Sequence, residues 1–297
     1  MFDYKLIQAF AMVVQEAGFE KASLKMHISQ SAISQRVKLL EEQFGQILLL
    51  RTTPPAPTDS GKKILKLYHQ IKHIEDDFKR SLSPETGDAF ISIPVGVNAD
   101  SLDTWFFDAI QPVLDREKIV LDLFVDDQDQ THRLLRDGKV LACISTRQTA
   151  IQGCRIEKIG NVSYGMYASP QFIEKWFPDG LNEKSLKSAP GICFNRKDML
   201  NSQLFFQKFN KKISGMPIHY VPSSAMFIHL LKNGIAYGMV PDSQSADLVS
   251  RNRLVDLVPD EKVIVKLYWH CWNLNSRLLQ LFTRELVKGF ARIETMK

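Results

Sequence analysis

The chain of 297 residues contains no apolar run of the length a membrane-spanning helix needs, roughly 18 to 20 residues. Its opening, Met1-Phe-Asp-Tyr-Lys, has neither the basic start nor the apolar core of a secretion signal. Together these absences predict a cytoplasmic protein with no membrane partner. Cysteine is sparse: Cys143, Cys154, Cys193 and Cys271 stand apart, with no CxxC pair and no histidine at ligand spacing. Neither a disulfide framework nor a metal site is therefore expected, and the four thiols read as buried and reduced. Catalytic signatures are missing as well. There is no GxSxG elbow, no phosphate loop with its lysine, no HExxH and no glycine-rich dinucleotide turn after a strand. The expectation is a protein that is not an enzyme, with no catalytic residue and no cofactor.

Positive charge is present but unevenly placed. The net charge is +5. Between Glu20 and Lys66 eight cations face four acids, so nearly all of the excess sits in one segment. Phosphate neutralisation would use such an excess.

That segment carries the strongest local pattern. Glu20 to Phe44 reads as two helices joined by a tight turn, with Ser29 as N-cap of the second. Ile33, Val37, Leu40 and Phe44 recur at the spacing of one buried stripe. The opposite face offers Ser31, Ser34, Gln35 and Lys38: hydroxyls, an amide and an ammonium, groups that bond base edges and phosphates in a major groove. Gln30 and Arg36 complete the candidate DNA contacts on this helix. His27 stands in the turn, where a left-handed residue is often needed and where His is tolerated. Upstream, Leu6, Phe10, Val13 and Ala17 mark a first helix, with Asp3 as its N-cap and Gly18 as its stop. The pattern is a helix-turn-helix on double-stranded DNA.

The run Ser29-Gln-Ser-Ala-Ile-Ser-Gln-Arg-Val-Lys-Leu-Leu-Glu41 resembles the recognition-helix segment of the LysR-type transcriptional regulators. Phe44-Gly45, Leu48-Leu-Leu-Arg51, the proline-rich turn and Thr58-Asp-Ser-Gly61 continue that likeness. The resemblance implies a winged helix-turn-helix whose wing, over Ile47 to Pro57, reaches the neighbouring minor groove. With Ala56 taken as the wing tip, Arg51 and Thr53 are the expected wing contacts.

Beyond Thr58 the residues Ile64, Leu67, Ile71, Ile74 and Phe78 repeat at steps of three and four, a coiled-coil seam that needs a partner. A homodimer is expected, with one reading helix per half-site. Tetramer formation and a contact to RNA polymerase stay open. From residue 87 onward the pattern alternates short strands and helices, beginning with period two at Ile91, Ile93, Val95 and Val97 and continuing βαβαβ to Ser145. A second set begins with a strand at Ser163 to Ala168. Strand Val263 to His270 and helix Ser276 to Ile293 close the chain. The pattern itself is α/β. The resemblance makes it a two-lobed, periplasmic-binding-protein-like effector domain. The expected division is 1–58 winged helix-turn-helix, 59–86 linker and dimerisation helix, and 87–297 effector domain.

Ligands of open α/β sheets bind beyond the carboxyl ends of strands, at helix N-termini. Asn98, Asp100 and Ser101, then Ser145, then Ser223 and Ser224 occupy such places, although plain helix capping accounts for each serine equally well. Arg51 to Thr58, Val97-Asn-Ala-Asp-Ser101, Phe172-Ile-Glu-Lys, Phe177-Pro-Asp-Gly180, Ser223-Ser224 and Tyr268-Trp-His270 resemble the branch of the family that responds to lysine and arginine. A basic amino acid needs an anionic partner, and Asp100, Asp126 and Asp127 are the candidates. Where the resemblance leads one to expect an acid after Phe194, the chain has Asn195, followed by Arg196 and Lys197. An amide cannot neutralise a cationic ligand, so another amino or carboxylic acid, or a redox-active cysteine, is the alternative sensor.

Overall fold

The computed structural model describes residues 3–82, 90–126 and 131–295. The expected linker end near Gly87 and the candidate Asp127 lie outside the described residues. Helix α1 (Tyr4–Gln15) starts at Asp3, whose carboxylate accepts the Lys5 amide at 2.9 Å. Its stop is not the expected glycine. Ala17 takes the left-handed turn with φ 54°, while Gly18 has φ 171° and precedes α2 (Phe19–Met26). The Gly18 amide reaches Val13 O at 3.0 Å and the Ala17 amide reaches Val14 O at 3.3 Å. That paired closure places the left-handed residue one position before the glycine. His27 closes α2 with φ 54°, as the turn requires, and Ser29 caps α3 (Gln30–Phe44) by accepting the Ala32 amide at 3.2 Å.

Strands β1 (Leu49–Leu50) and β2 (Ala56–Pro57) pair antiparallel as the wing. Ala56 therefore belongs to a strand opposite Leu50, and the tip is the turn of residues 51–55. Helix α4 (Asp59–Leu82) is capped by Thr58, whose hydroxyl accepts the Gly61 amide at 3.1 Å. Ile64, Leu65 and Tyr68 of α4 join Phe10, Val13, Ile33, Val37 and Leu40 in the core of the head. Farther along, the seam is uncovered: Ile74 is 46% and Phe78 61% exposed.

The α/β part opens with β3 (Ile91–Asn98) and a continuous helix made of α5 (Ala99–Ser101), a π turn (Leu102–Phe106) and α6 (Phe107–Leu114). Next come β4 (Ile119–Asp126), α7 (Thr131–Arg136) and β5 (Ala142–Ser145). Both β4 and β5 lie parallel to β3, the predicted crossover arrangement. Strand β6 (Cys154–Ala168) is much longer than the expected 163–168. Its first half mixes Arg155, Glu157, Lys158 and Asn161 among apolar residues, which hides strand character, yet it pairs along its length with the last strand.

The second lobe follows with α8 (Pro170–Trp176), α9 (Glu183–Ser188), β7 (Gly191–Cys193), α10 (Leu200–Phe209), β8 (Ile218–Tyr220) and α11 (Ser224–Lys232). It continues through β9 (Gly238–Pro241), α12 (Asp242–Ser250) and β10 (Val255–Asp256). The chain returns along β11 (Val263–Trp272) and ends on α13 (Arg277–Thr295). The main sheet runs β10-β6-β11-β5-β3-β4, with β9 also on β6. Because β6 pairs first with β11 and then, over Tyr164–Tyr167, with β9, it passes through both lobes. The short pair β7-β8 joins the second lobe through the Gly191–Tyr237 bridge. A cleft between two lobes results, with strand ends and helix starts on its walls.

Candidate functional site

Helix α3 presents its polar face outward. Gln30, Ser31, Ser34, Gln35 and Lys38 are exposed, while Ile33, Val37 and Leu40 behind them are buried. Ser31, Ser34, Gln35 and Lys38 follow i, i+3, i+4 and i+7, so they form one continuous strip. Arg36 lies half-buried on its flank. Two contacts set the strip at rest. Ser31 Oγ lies 2.9 Å from Ser29 Oγ, and Lys38 Nζ lies 3.7 Å from Glu42 in an exposed pair that a phosphate could displace. The Glu41 carboxylate accepts the Leu48 and Leu49 amides at 2.8 and 3.1 Å, which fixes the wing to α3. Arg51 and Thr53 are both exposed in the wing turn.

A cleft open to solvent lies between the lobes. Asn98, Ala99, Asp100 and Asp126 line it from the first lobe; Phe194, Asp198, Leu200, Phe227 and Met239 line it from the second. Asp100 is its most constrained group. Its carboxylate accepts the Ser224 hydroxyl at 2.5 Å, from the second lobe, and the Tyr164 hydroxyl at 2.7 Å, from the through-running strand. Burial raises its pKa, the two hydroxyls oppose the rise, and Asp198 and Asp103 add to it. Asp103 sits in the π turn and accepts the Ala225 amide at 3.1 Å, at the opening of α11. One short helical stretch of the first lobe thus holds the second lobe with two carboxylates. The Asn98 Oδ1 is buried with no hydrogen-bond partner among the described residues, an arrangement that costs free energy until a donor meets it.

The expected effector residues separate into two groups. Asn98, Asp100 and Asp126 line the cleft, and Ser224 bonds Asp100 above it. Ser101 is buried and lines a small neighbouring cavity with Trp105 and Tyr164. Ser223 caps α11 by accepting the Met226 amide at 3.4 Å. Ser145 is fully buried and accepts the Arg147 amide at 3.3 Å, away from the cleft lining. Asn195 is also absent from that lining; its Oδ1 accepts the Lys197 amide at 2.7 Å.

Asp198 supplies an acid three residues beyond Asn195. It lines the cleft and accepts the Phe194 and Leu200 amides, each at 3.0 Å. The sequence pattern places it at the start of a helix running to Phe209 and gives it no ligand role. Arg196 is turned aside, its guanidinium 4.7 Å from the Tyr220 ring centre, and neither it nor Lys197 is on the cleft lining. Among the described residues the cleft lining holds three carboxylates, Asp100, Asp126 and Asp198, and no cation.

The thiols offer little to a redox sensor. Burial raises the pKa of Cys143, Cys154 and Cys271, and pushes Cys193 up to about 12. Thiolate character, which reactivity needs, is suppressed at all four. Among the described residues no group of three His, Cys, Asp or Glu could hold a metal ion, and no helix is long and apolar enough to cross a membrane.

Residues 4–62 match the family described as bacterial regulatory helix-turn-helix protein, lysR family. The HTH-type transcriptional regulator ArgP of Aeromonas salmonicida is 36% identical over 285 residues, covering 96% of this chain and 95% of that protein. The crystal structure of ArgP from Mycobacterium tuberculosis superposes with a TM-score of 0.88 at 30% identity, covering 98% of each chain. Full-length LysG of Corynebacterium glutamicum, with bound effector Arg, superposes with a TM-score of 0.79 at 27% identity and covers 98% of this chain and 99% of that one.

Proposed function

Because the chain belongs to the LysR family of bacterial regulatory helix-turn-helix proteins, and so is a DNA-binding transcriptional regulator and not an enzyme, we propose that a basic amino acid, lysine or arginine, held between its lobes controls its grip on DNA. The observation that carries this reading is the acid-lined cleft, with Asp100, Asp126 and Asp198 on its walls and beside them the buried Asn98 Oδ1, which has no partner among the described residues. A carboxylate ring favours an ammonium or guanidinium over a neutral or acidic side chain. The opening turn of α5, whose first amides have no carbonyl one turn back, is the place for the amino acid's own carboxylate. The LysG structure with bound Arg supports the same class of ligand.

In this reading residues 1–58 contact DNA through Gln30, Ser31, Ser34, Gln35, Arg36 and Lys38, with Arg51 and Thr53 on the wing. Residues 59–86 form the linker, and 87–297 sense the effector in the cytoplasm. The uncovered seam of α4 at Ile74 and Phe78 meets its counterpart in a second copy, giving a homodimer on a two-fold site. The test is a mobility-shift titration of the double variant Gln35→Ala, Lys38→Ala on a specific site. Affinity for that site falls by at least about tenfold and the salt slope flattens by about one unit. Unchanged specific affinity refutes the reading of α3. Thermal melting with lysine, arginine and neutral amino acids tests the cleft, since a ligand of the folded form raises its stability.

A further inference from the structure

Linker helix α4 carries a second stripe beside its apolar seam. Lys66, His69, His73 and Asp77 recur at steps of three, four and four, which places them on one helical face. Each meets the effector domain of its own chain. Lys66 Nζ lies 3.4 Å from the Gln152 carbonyl oxygen, and His69 Nδ1 lies 2.6 Å from that of Gly138. His73 Nε2 lies 3.0 Å from Ser276 Oγ, and the Asp77 carboxylate accepts the Arg277 amide at 3.1 Å. Ser276 and Arg277 open helix α13, so the linker helix caps a helix that begins 200 positions later in the chain.

The far end of α13 packs on the π turn beside the cleft, at the neighbouring cavity. The Phe290 ring packs edge-on against Trp105 with centres 4.8 Å apart. Trp105 belongs to the π turn, whose Asp103 bonds the second lobe. Between its ends α13 has little freedom. A Cβ on Gly289 would lie 2.4 Å from Ala109 Cα, so α13 and α6 touch backbone to backbone, and Thr283 accepts the Trp269 indole N–H at 2.9 Å. From Arg277 to Phe290 the helix rises about 20 Å, which separates its contact with the linker from its contact with the π turn. At the head, Tyr68 of α4 stacks on Tyr4 of α1 at 5.9 Å.

We propose that α13 is a strut that docks the effector domain on its own linker helix through His73 and Asp77 and carries closure of the cleft to the DNA-binding head. Coupling requires an element that both sites bias. Closure of the second lobe onto Asp100 and Asp103 biases one end of the strut, and the head, rigidly joined to α4, biases the other. The dock stands on contacts within one chain. The carrying of a ligand signal rests on the reading of the cleft as the effector site.

The experiment has two arms, both on the full chain. Amide hydrogen exchange without ligand compares the parent with Asp77→Ala and with the exposed control Lys79→Ala. The first turn of α13, residues 277–280, exchanges about fivefold faster in Asp77→Ala and at the parental rate in the control. Parental exchange in Asp77→Ala overturns the dock. The second arm measures L-arginine binding by calorimetry and DNA affinity by mobility shift. Asp77→Ala binds arginine, but its DNA affinity responds to arginine by a smaller factor than the parent's. A DNA response equal to the parent's overturns the strut. A parent that binds no arginine overturns the effector reading alone, and the exchange arm still decides the dock.

Discussion

In the proposed reading of the cleft, Asp100 joins ligand chemistry and stability in one side chain. Its folded pKa lies above the ordinary carboxylate value, chiefly from burial. The stability linked to it is therefore complete at low pH and is lost as pH rises through the folded value. Above the ordinary carboxylate pKa its burial weakens the empty protein, and a bound cation would remove that penalty. Asp100→Asn is accordingly expected to raise the melting temperature of the ligand-free protein at pH near 7 while abolishing stabilisation by arginine; differential scanning fluorimetry reads both. At Asp198 the expectation concerns selectivity. Asp198→Asn lowers the preference for arginine over its neutral isostere citrulline by about tenfold or more in calorimetric titrations, because a charge-assisted bond becomes a neutral one. Of these two acids only Asp100 was legible in the sequence, where it follows a clear period-two strand. Asp198 stands behind Asn195, Arg196 and Lys197, and only the turn that sends Arg196 onto Tyr220 brings the acid to the cleft. Ser145, placed equally well by sequence, is fully buried beneath Arg147.

Helix α4 holds three functions on three faces. Ile64, Leu65 and Tyr68 enter the head core, Ile74 and Phe78 stay uncovered, and Lys66, His69, His73 and Asp77 meet the effector domain. Apolar periodicity revealed the seam. The polar stripe was hidden because its partners, Gly138, Gln152, Ser276 and Arg277, lie far along the chain and carry no matching pattern. Gly138 has φ 75°, and a Cβ there would lie 2.7 Å from Lys66 Cα. Gly138→Ala is therefore strained on two counts. It is expected to lower stability by about 1–3 kcal/mol in urea unfolding.

The same interface has a pH sign. Burial lowers the pKa of both His69 and His73; at His69 the Gly138 carbonyl opposes this and Lys72 adds to it, and at His73 Asp77 and Asp76 oppose it. A depressed histidine contributes stability above its ordinary pKa, and that contribution is lost as pH falls toward the folded values. The urea midpoint is expected to drop between about pH 7.5 and 5.5. The double variant His69→Gln, His73→Gln flattens that slope.

At the scale of the whole molecule the sequence was most informative where structure is local and least where lobes meet. The head follows from caps, a left-handed His27 and one buried stripe. The order βαβαβ follows from alternation alone. What sequence could not supply is the long strand β6, whose first half is rich in charge, and the two carboxylates that bridge from one helix to the second lobe. Those features decide whether the protein is a DNA-binding unit with an inert companion or one regulated assembly. By linkage, a ligand changes DNA occupancy only as far as it prefers one arrangement of the whole. The most direct measurement is a titration of a specific DNA site with the full chain, with and without saturating L-arginine or L-lysine. The half-saturation point moves by about fivefold or more with at least one of them. Identical DNA titrations, while calorimetry shows the amino acid bound, would contradict the account.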